Sequence, residues 1–204
     1  PAPDPEPAPP PADGGTSGQG GGQAAVSVPD KPKPSDRPTI MMGPSKEIST
    51  TFGSTPGAVL KLKGAGGTIT LKIPEFALFM GTNVTWRIEA GHHGKSKGPV
   101  VGSVAFLETM LEGKKKPEAI PSRGPAYEFR WPTGGKDTIN LAVGVRAIDS
   151  GGNPGKVSEW KIYPPKSVDT GFKEAYFYLT EIGPAAYLHA TTAPATVGAE
   201  AEAQ

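Results

Sequence analysis

One serine stands in a pattern that hydrolases use for a nucleophile. Residues 94–98 read Gly-Lys-Ser-Lys-Gly and match the motif G-x-S-x-G. Asp149 or Asp169, and then His189, follow in the chain order of the α/β-hydrolases. An exposed nucleophile of this kind needs a helix directly after the serine, whereas a strand-like Pro-Val-Val follows here. We therefore predict a polar loop, a dispensable Ser96 and no enzymatic activity.

Ligands for a metal ion are few. His92 and His93 are adjacent, and neighbouring side chains point to opposite sides of a strand, so only a folded loop could bring them together with Glu89. Asp149 and Asn153 could bind calcium, but such a site normally has more acidic ligands, and a turn is the favoured role. The absence of cysteine excludes thiolate zinc sites, thiol catalysis and disulfides. We predict no metal and no cofactor.

Lysines cluster in two polar segments that could meet at one end of the folded domain. They are Lys95 and Lys97 in the first segment and Lys114, Lys115 and Lys116 in the second. Together they could bind a polyanion such as a phosphorylated glycan. The alternative, which we favour, is that both segments are solvated loops without a ligand.

Aromatic side chains offer a second way to bind a ligand. Trp131, Trp160, Tyr176 and Tyr178 could form a platform on which sugar rings stack. Aromatic residues at strand spacing are more often part of a core, and that is the favoured alternative. Exposure of the rings would distinguish the two.

The strands that must position these residues are organised around residues 67–88. Two short segments there alternate between apolar and polar residues, as expected for strands with one buried face. Their apolar sides consist of Ile69, Leu71 and Ile73 in the first segment and Val84, Trp86 and Ile88 in the second. About ten short strands separated by turn signals, with no convincing helix, predict an all-β fold, a β-sandwich.

Composition divides the chain of 204 residues into three parts. Half of the 24 prolines precede Ser45, and the first aromatic residue is Phe52. We therefore predict a disordered Pro/Gly-rich linker or tether over residues 1–44, a domain over residues 45–192 and a disordered tail over residues 193–204. A net charge of +1 gives no reason to expect nucleic-acid binding, and no apolar run is long enough to span a membrane.

Three residues and one short segment are similar to the immunoglobulin-like fold. Leu71, Trp86 and Leu141 have spacings compatible with strands B, C and F, where a tryptophan packs against two cysteines. Residues 137–141 resemble the D-x-Y-x-C signature, with Ile139 in place of tyrosine and Leu141 in place of cysteine. The resemblance implies an immunoglobulin-like sandwich with extra C-terminal strands, without the disulfide or the tyrosine corner.

Other stretches resemble bacterial surface proteins. Residues 145–163 are similar to the last hairpin of bacterial immunoglobulin-like modules, in which an A-x-D-x-x-G-N turn joins two strands. Residues 66–78 are similar to the opening of the zona-occludens-type β-sandwich module, and residues 1–23 resemble the start of a mature bacterial lipoprotein just after its lipidated cysteine. These resemblances imply a periplasmic or cell-surface location, with membrane association only through a possible N-terminal lipid anchor.

The function implied is a non-catalytic envelope or surface module for adhesion, binding or scaffolding, held on a flexible spacer. Its partners would be other envelope or surface proteins or glycans. The alternative is a carbohydrate- or polyanion-binding domain that uses the exposed aromatic residues or the lysine loops.

Overall fold

The computed structural model describes residues 40–52, 57–89 and 97–196, which form fourteen strands and no helix. In chain order the strands are β1 (Ile40–Ser45), β2 (Glu47–Phe52), β3 (Ala58–Gly64), β4 (Gly67–Ile73), β5 (Thr82–Ile88), β6 (Val100–Leu111), β7 (Ile120–Pro121), β8 (Tyr127–Pro132), β9 (Asn140–Ile148), β10 (Pro154–Tyr163), β11 (Ser167–Asp169), β12 (Glu174–Leu179), β13 (Glu181–Ile182) and β14 (Ala185–Thr191).

Two six-stranded sheets make up the sandwich. Sheet 1 has the order β1-β3-β4-β8-β12-β11, and sheet 2 has the order β10-β9-β14-β6-β5-β2. The short strands β7 and β13 form a separate two-stranded ribbon. Neighbouring strands run antiparallel except β1, which pairs in parallel with β3. The all-β prediction is therefore confirmed.

The core lies between the two sheets and is built from the alternating residues that the sequence predicts to face inward. Leu71 of sheet 1 and Trp86 and Leu141 of sheet 2 are each fully buried. Trp86 packs edge-on against Phe129 and Trp131 of the facing sheet, with ring centroids 6.0 and 6.4 Å apart. These contacts join the sheets in a single cluster of buried side chains.

Strand order within sheet 2 separates two residues of the predicted core trio. Trp86 lies on β5 and Leu141 on β9, and both β6 and β14 run between these strands. Strands C and F of immunoglobulin constant domains share a three-stranded sheet, C-F-G, in which they are neighbours. The sheet assignment of the trio thus fits the resemblance, and the neighbourhood of the strands differs from it.

Regular structure begins before the predicted boundary at Ser45. Residues 40–44 of the predicted linker belong to β1, which contains Pro44. Proline lacks an N–H group and is tolerated here because β1 is the edge strand of sheet 1. Residues 1–39, the rest of the predicted linker, lie outside the described residues.

The other end of the domain also extends past its predicted limit at residue 192. Thr196 donates its backbone N–H to the carbonyl of Ile162 at 3.0 Å, and its hydroxyl accepts from the N–H of Ile162 at 2.9 Å. This pairing continues along the outer edge of β10. Residues 197–204 of the predicted tail lie outside the described residues.

Candidate functional site

The four aromatic residues predicted to form one platform lie in three different places. Trp131 is only 1% exposed and packs between the sheets, so it presents no face to a ligand. Trp160 is half-buried on the outer face of sheet 2, next to His189. Tyr176 and Tyr178 are half-buried on the outer face of sheet 1. The core interpretation is therefore right for Trp131, and the other three rings divide between two opposite faces.

The lysine segments do not meet. Lys97 precedes β6 and the run Lys114–Lys116 follows it, and a strand of 12 residues spans roughly 36 Å at about 3.3 Å per residue. Lys114 forms an exposed ion pair with Glu118 at 3.6 Å. Lys97 and the run are exposed, and Lys95 lies outside the described residues.

Among the described residues, His189 has no aspartate beside it. Ser96 lies outside the described residues. His189 is buried in sheet 2, where its Nδ1 lies 3.0 Å from the carbonyl oxygen of Ala190, with no carboxylate partner among the described residues. Asp169 accepts a hydrogen bond from the backbone of Phe172 in sheet 1, on the opposite side of the sandwich.

The turn predicted around Asp149 is confirmed. The backbone N–H of Asn153 donates to Asp149 Oδ1 at 2.8 Å, and the Asn153 amide lies 3.3 Å from Oδ2. These hydrogen bonds to Asn153 lower the pKa of the Asp149 carboxyl. Among the described residues, no three His, Asp or Glu side chains are grouped closely enough to hold a metal ion. His92 and His93 lie outside the described residues.

A different set of residues forms a continuous surface on the outer face of sheet 1. Side chains alternate along a strand, so every second residue of β3, β4, β8 and β12 faces outward. The register of the strands aligns these outward residues in rows across the sheet. One row consists of Val59, Lys72, Glu128 and Tyr178, and the next consists of Lys61, Thr70, Arg130 and Tyr176. We call these eight residues, with the cavities described below, the sheet 1 groove.

The centre of the sheet 1 groove is held by a charged pair. Arg130 Nε donates to Glu128 Oε1 at 2.6 Å, and the Tyr178 hydroxyl donates to Glu128 Oε2 at 3.3 Å. The Arg130 guanidinium also lies over the Tyr176 ring, with its Cζ 5.2 Å from the ring centroid. Both Glu128 oxygens and both tyrosine rings are thereby fixed in position before any ligand arrives.

These contacts also perturb two pKa values. Burial lowers the pKa of Arg130, but the hydrogen bond and the charge of Glu128 outweigh it and raise the pKa overall. Burial and then the nearby Glu128 carboxylate raise the pKa of Tyr178, since both disfavour the phenolate. The guanidinium is charged and the phenol is neutral at physiological pH, so both side chains are hydrogen-bond donors.

Two cavities open on this face and meet at Lys72. The first, of about 370 Å³, lies over β1, β3 and β4 and extends to Arg130. The second, of about 660 Å³, lies beyond Lys72 and is walled by Phe76, Arg123 and Tyr178. Both volumes are in the range of small-molecule sites. Lys72 lines both of them, so the two cavities adjoin on this face.

The wall formed by Phe76 is conformationally unusual. Its backbone has a φ of +61°, in the left-handed region that bulky residues rarely occupy. Such strain persists only where the surrounding structure enforces it, and it concentrates at functional sites. Arg123 extends the same wall, and its Cζ lies 4.6 Å from the centroid of the exposed Phe79 ring.

Sequence reasoning identified Tyr176 and Tyr178 but missed the charged residues of the sheet 1 groove. The signal was partly present, because Lys72 lies on the polar side of the predicted strand and Arg130 alternates with the inward Phe129 and Trp131. What the sequence lacked was the pairing of strands β4, β8 and β12, which places these residues side by side.

No protein-family model matches the sequence, and neither a curated protein nor a solved structure matches the chain. Within the described ranges, no helix is long and apolar enough to cross a membrane. The case for function therefore depends on the site alone.

Proposed function

We propose that this protein is a non-catalytic binding module that holds an acidic glycan in the sheet 1 groove, in the setting of a bacterial cell envelope. The observation that carries the proposal is the pair of adjoining cavities that Lys72 lines on the outer face of sheet 1. The resemblance to bacterial surface modules supports the envelope setting. It also supports an immunoglobulin-like relationship, which we propose for the core trio and the last hairpin.

The shape and the hydrogen-bonding groups of the groove favour a glycan. An extended chain can cross β1, β3, β4 and β8, which lie ~4.8 Å apart, and contact each strand in turn. Tyrosine rings offer apolar faces to sugar C–H groups, and their hydroxyls are polar handles for sugar hydroxyls. Lys72, Arg130 and Thr70 add further donors along the same path.

The charge of the groove favours an acidic glycan. Arg130 is neutralised by Glu128, but Lys61, Lys72 and Arg123 have no ion-pair partner among the described residues. The unpaired carboxylates that line the cavities belong to Glu75 and Glu174, and one oxygen of Glu75 is buried away from solvent. An anionic ligand would therefore meet more available positive than negative charge.

Glu128 is placed to hold hydrogen-bond donors in the groove. Both oxygens of Glu128 are engaged, by Arg130 and Tyr178. We propose that Glu128 orients these donors toward the ligand.

A matched pair of double variants tests the proposal. Affinity electrophoresis or calorimetry would compare binding to polygalacturonate, a carboxylated polysaccharide, and to uncharged dextran. We expect polygalacturonate to bind wild type, more weakly at 0.5 M salt, and to bind the Lys61→Gln/Lys72→Gln variant at least tenfold more weakly.

The control is Lys115→Gln/Lys116→Gln, which makes the same change of charge on exposed residues outside the groove. Equal weakening in both doubles would show that net charge alone attracts the polymer. Failure of wild type to bind polygalacturonate, hyaluronate and teichoic acid would likewise refute the proposal.

A further inference from the structure

We propose that the outer face of sheet 2 is a second carbohydrate site, on which an uncharged sugar ring stacks against Trp160. This face is on the opposite side of the sandwich from the sheet 1 groove and shares no residue with it. The inference therefore stands on its own observations.

The indole of Trp160 lies flat on the sheet. Trp160 on the edge strand β10 pairs with Gly144 on β9. A Cβ on Gly144 would point out of the sheet and would lie 2.8 Å from each of three atoms of the indole, Cε2, Cζ2 and Cη2. Equal distances to three ring atoms mean that the ring plane covers Gly144. One ring face therefore packs on the backbone, and the half-buried side chain turns its other face outward.

A neighbouring histidine fixes the indole from the side. The ring of His189, which is fully buried, meets Trp160 edge-to-face, with centroids 5.4 Å apart and an angle of 62° between the planes. The missing side chain of Gly144 and the contact with His189 together hold the ring in one orientation. A stacking surface fixed in this way costs little conformational entropy when a ligand binds.

Polar groups lie beside the indole in the same row of the sheet. Gly144 pairs on its other side with Tyr187, which in turn pairs with Phe106. Arg146 donates to the Tyr187 hydroxyl at 3.1 Å and to the carbonyls of Gly155 and Pro154 at 2.6 and 2.7 Å. A guanidinium has five N–H groups, so those not used in these three bonds can donate to a sugar hydroxyl.

The chemistry of this row favours an uncharged ligand. Pyranose C–H groups carry a slight positive charge and stack on the electron-rich face of an indole. Arg87, which lies over the Phe106 ring at 4.2 Å, is paired with Glu89 at 2.7 Å. Glu108 lies on the same face, opposite Ala185, and offsets the charge of Arg146. Glu47 of β2 lies opposite Arg87 and adds a further carboxylate, so this row has no excess of positive charge to attract an anion.

A purely structural role for Trp160 is the competing explanation. A large aromatic ring placed over a glycine in a sheet covers exposed backbone and stabilises the strand pair. That role accounts for the ring face that touches Gly144. It predicts that removal of the ring lowers stability and leaves glycan binding unchanged.

The experiment uses the full chain and two uncharged probes, dextran and insoluble chitin. Wild type should bind at least one of them with an affinity that 0.5 M salt leaves unchanged. Trp160→Ala should bind about tenfold more weakly, whereas Trp160→Phe should stay within about threefold of wild type because a flat ring remains. Gly144→Ala keeps the indole but pushes it off the sheet, and it should also weaken binding.

Phe172→Ala, which removes an exposed aromatic ring that belongs to neither proposed site, is the control and should bind dextran and chitin like wild type. Near-ultraviolet circular dichroism would verify that each variant is folded. The inference is overturned if wild type binds neither probe, or if Trp160→Ala loses stability but binds like wild type. Binding of polygalacturonate tests the sheet 1 groove separately, so the proposal for one site can be refuted while the other is retained.

Discussion

The two outer faces of the sandwich have the same construction and different chemistry. On each, alternation directs every second residue outward, and the register aligns these residues in rows across the strands. The sheet 1 groove contains two cavities and cations around Lys72 that have no ion-pair partner among the described residues, whereas the row beside Trp160 is aromatic and has no excess of positive charge. The comparison shows that one scaffold can present two unrelated surfaces, because the outward positions are independent of the shared core.

Single residues explain much of the difference. Gly144 has no side chain, which allows the Trp160 ring to pack directly on the backbone of sheet 2. On sheet 1, the row is bounded by β1 on one side and by residues 74–76 and 123–126 on the other, and these segments form the walls of the cavities. Loops and the edge strand β1 thus form the walls of the groove on sheet 1. On sheet 2, the absence of a Cβ on Gly144 leaves room for the flat Trp160 ring.

The largest expected effect tests whether inner and outer positions are independent. Trp86 and Thr85 are neighbours on β5, and Trp86 is fully buried between the sheets while Thr85 faces outward. Trp86→Ala should lower the free energy of unfolding by about 3–5 kcal/mol, whereas Thr85→Ala should cost about 0.5 kcal/mol or less. Urea denaturation measures both. Similar losses would mean that the strand register is wrong.

A second effect, smaller but still clear, concerns the close packing on sheet 2. Gly144→Ala should lower the free energy of unfolding by about 1–3 kcal/mol, because its Cβ meets the Trp160 ring at 2.8 Å. Gly43 on β1 of sheet 1 has no atom within 4 Å of the equivalent position, so Gly43→Ala should change stability by no more than about 0.5 kcal/mol. Thermal melts measure both variants. Equal shifts in melting temperature would mean that the Trp160 ring does not pack closely on Gly144.

The faces should also differ in their response to acid. Burial lowers the pKa of His189 below its ordinary value of 6.5. The unfolded chain therefore binds a proton at a higher pH than the native state, and stability falls as the pH drops below 6.5. Denaturation between pH 7.5 and 5 should show this loss in wild type and a smaller one in His189→Phe. An identical pH dependence in wild type and His189→Phe would mean that protonation of His189 does not destabilise the domain.

The smallest expected effect on stability is in the sheet 1 groove. The Arg130 and Glu128 side chains are 37% and 12% exposed, so solvent screens their ion pair, and a double-mutant cycle with Arg130→Gln and Glu128→Gln should give a coupling of about 0.2–1 kcal/mol. Binding of polygalacturonate should suffer more than stability, because Glu128 also orients Tyr178. If a variant lost stability but kept full binding, the Arg130–Glu128 pair would have no part in binding.

Local patterns predicted side-chain direction well and spatial neighbours poorly. The alternation of Tyr127, Phe129 and Trp131 correctly gives three inward side chains and, by the same logic, an outward Arg130. That Arg130 lies between Thr70 and Tyr176 depends on strand pairing between distant parts of the chain, which no short pattern encodes. The possibility that the lysine segments meet also depended on spatial neighbours, and β6 separates Lys97 from Lys114.

The prediction missed β1 because it assigned residues 40–44 to the proline-rich linker. Only the position of a strand in its sheet decides whether proline is tolerated, and an edge position cannot be read from a single segment.

The parallel pairing of β1 with β3 also has a mechanical consequence. The described chain enters the domain at Ile40, the first residue of β1, and β1 itself lines the sheet 1 groove through Met41 and Pro44. If the groove binds a ligand as proposed, tension between Ile40 and that ligand would pass through the hydrogen bonds between neighbouring strands of sheet 1. Both points of attachment would lie on the same sheet, so the force would not have to cross the core between the sheets.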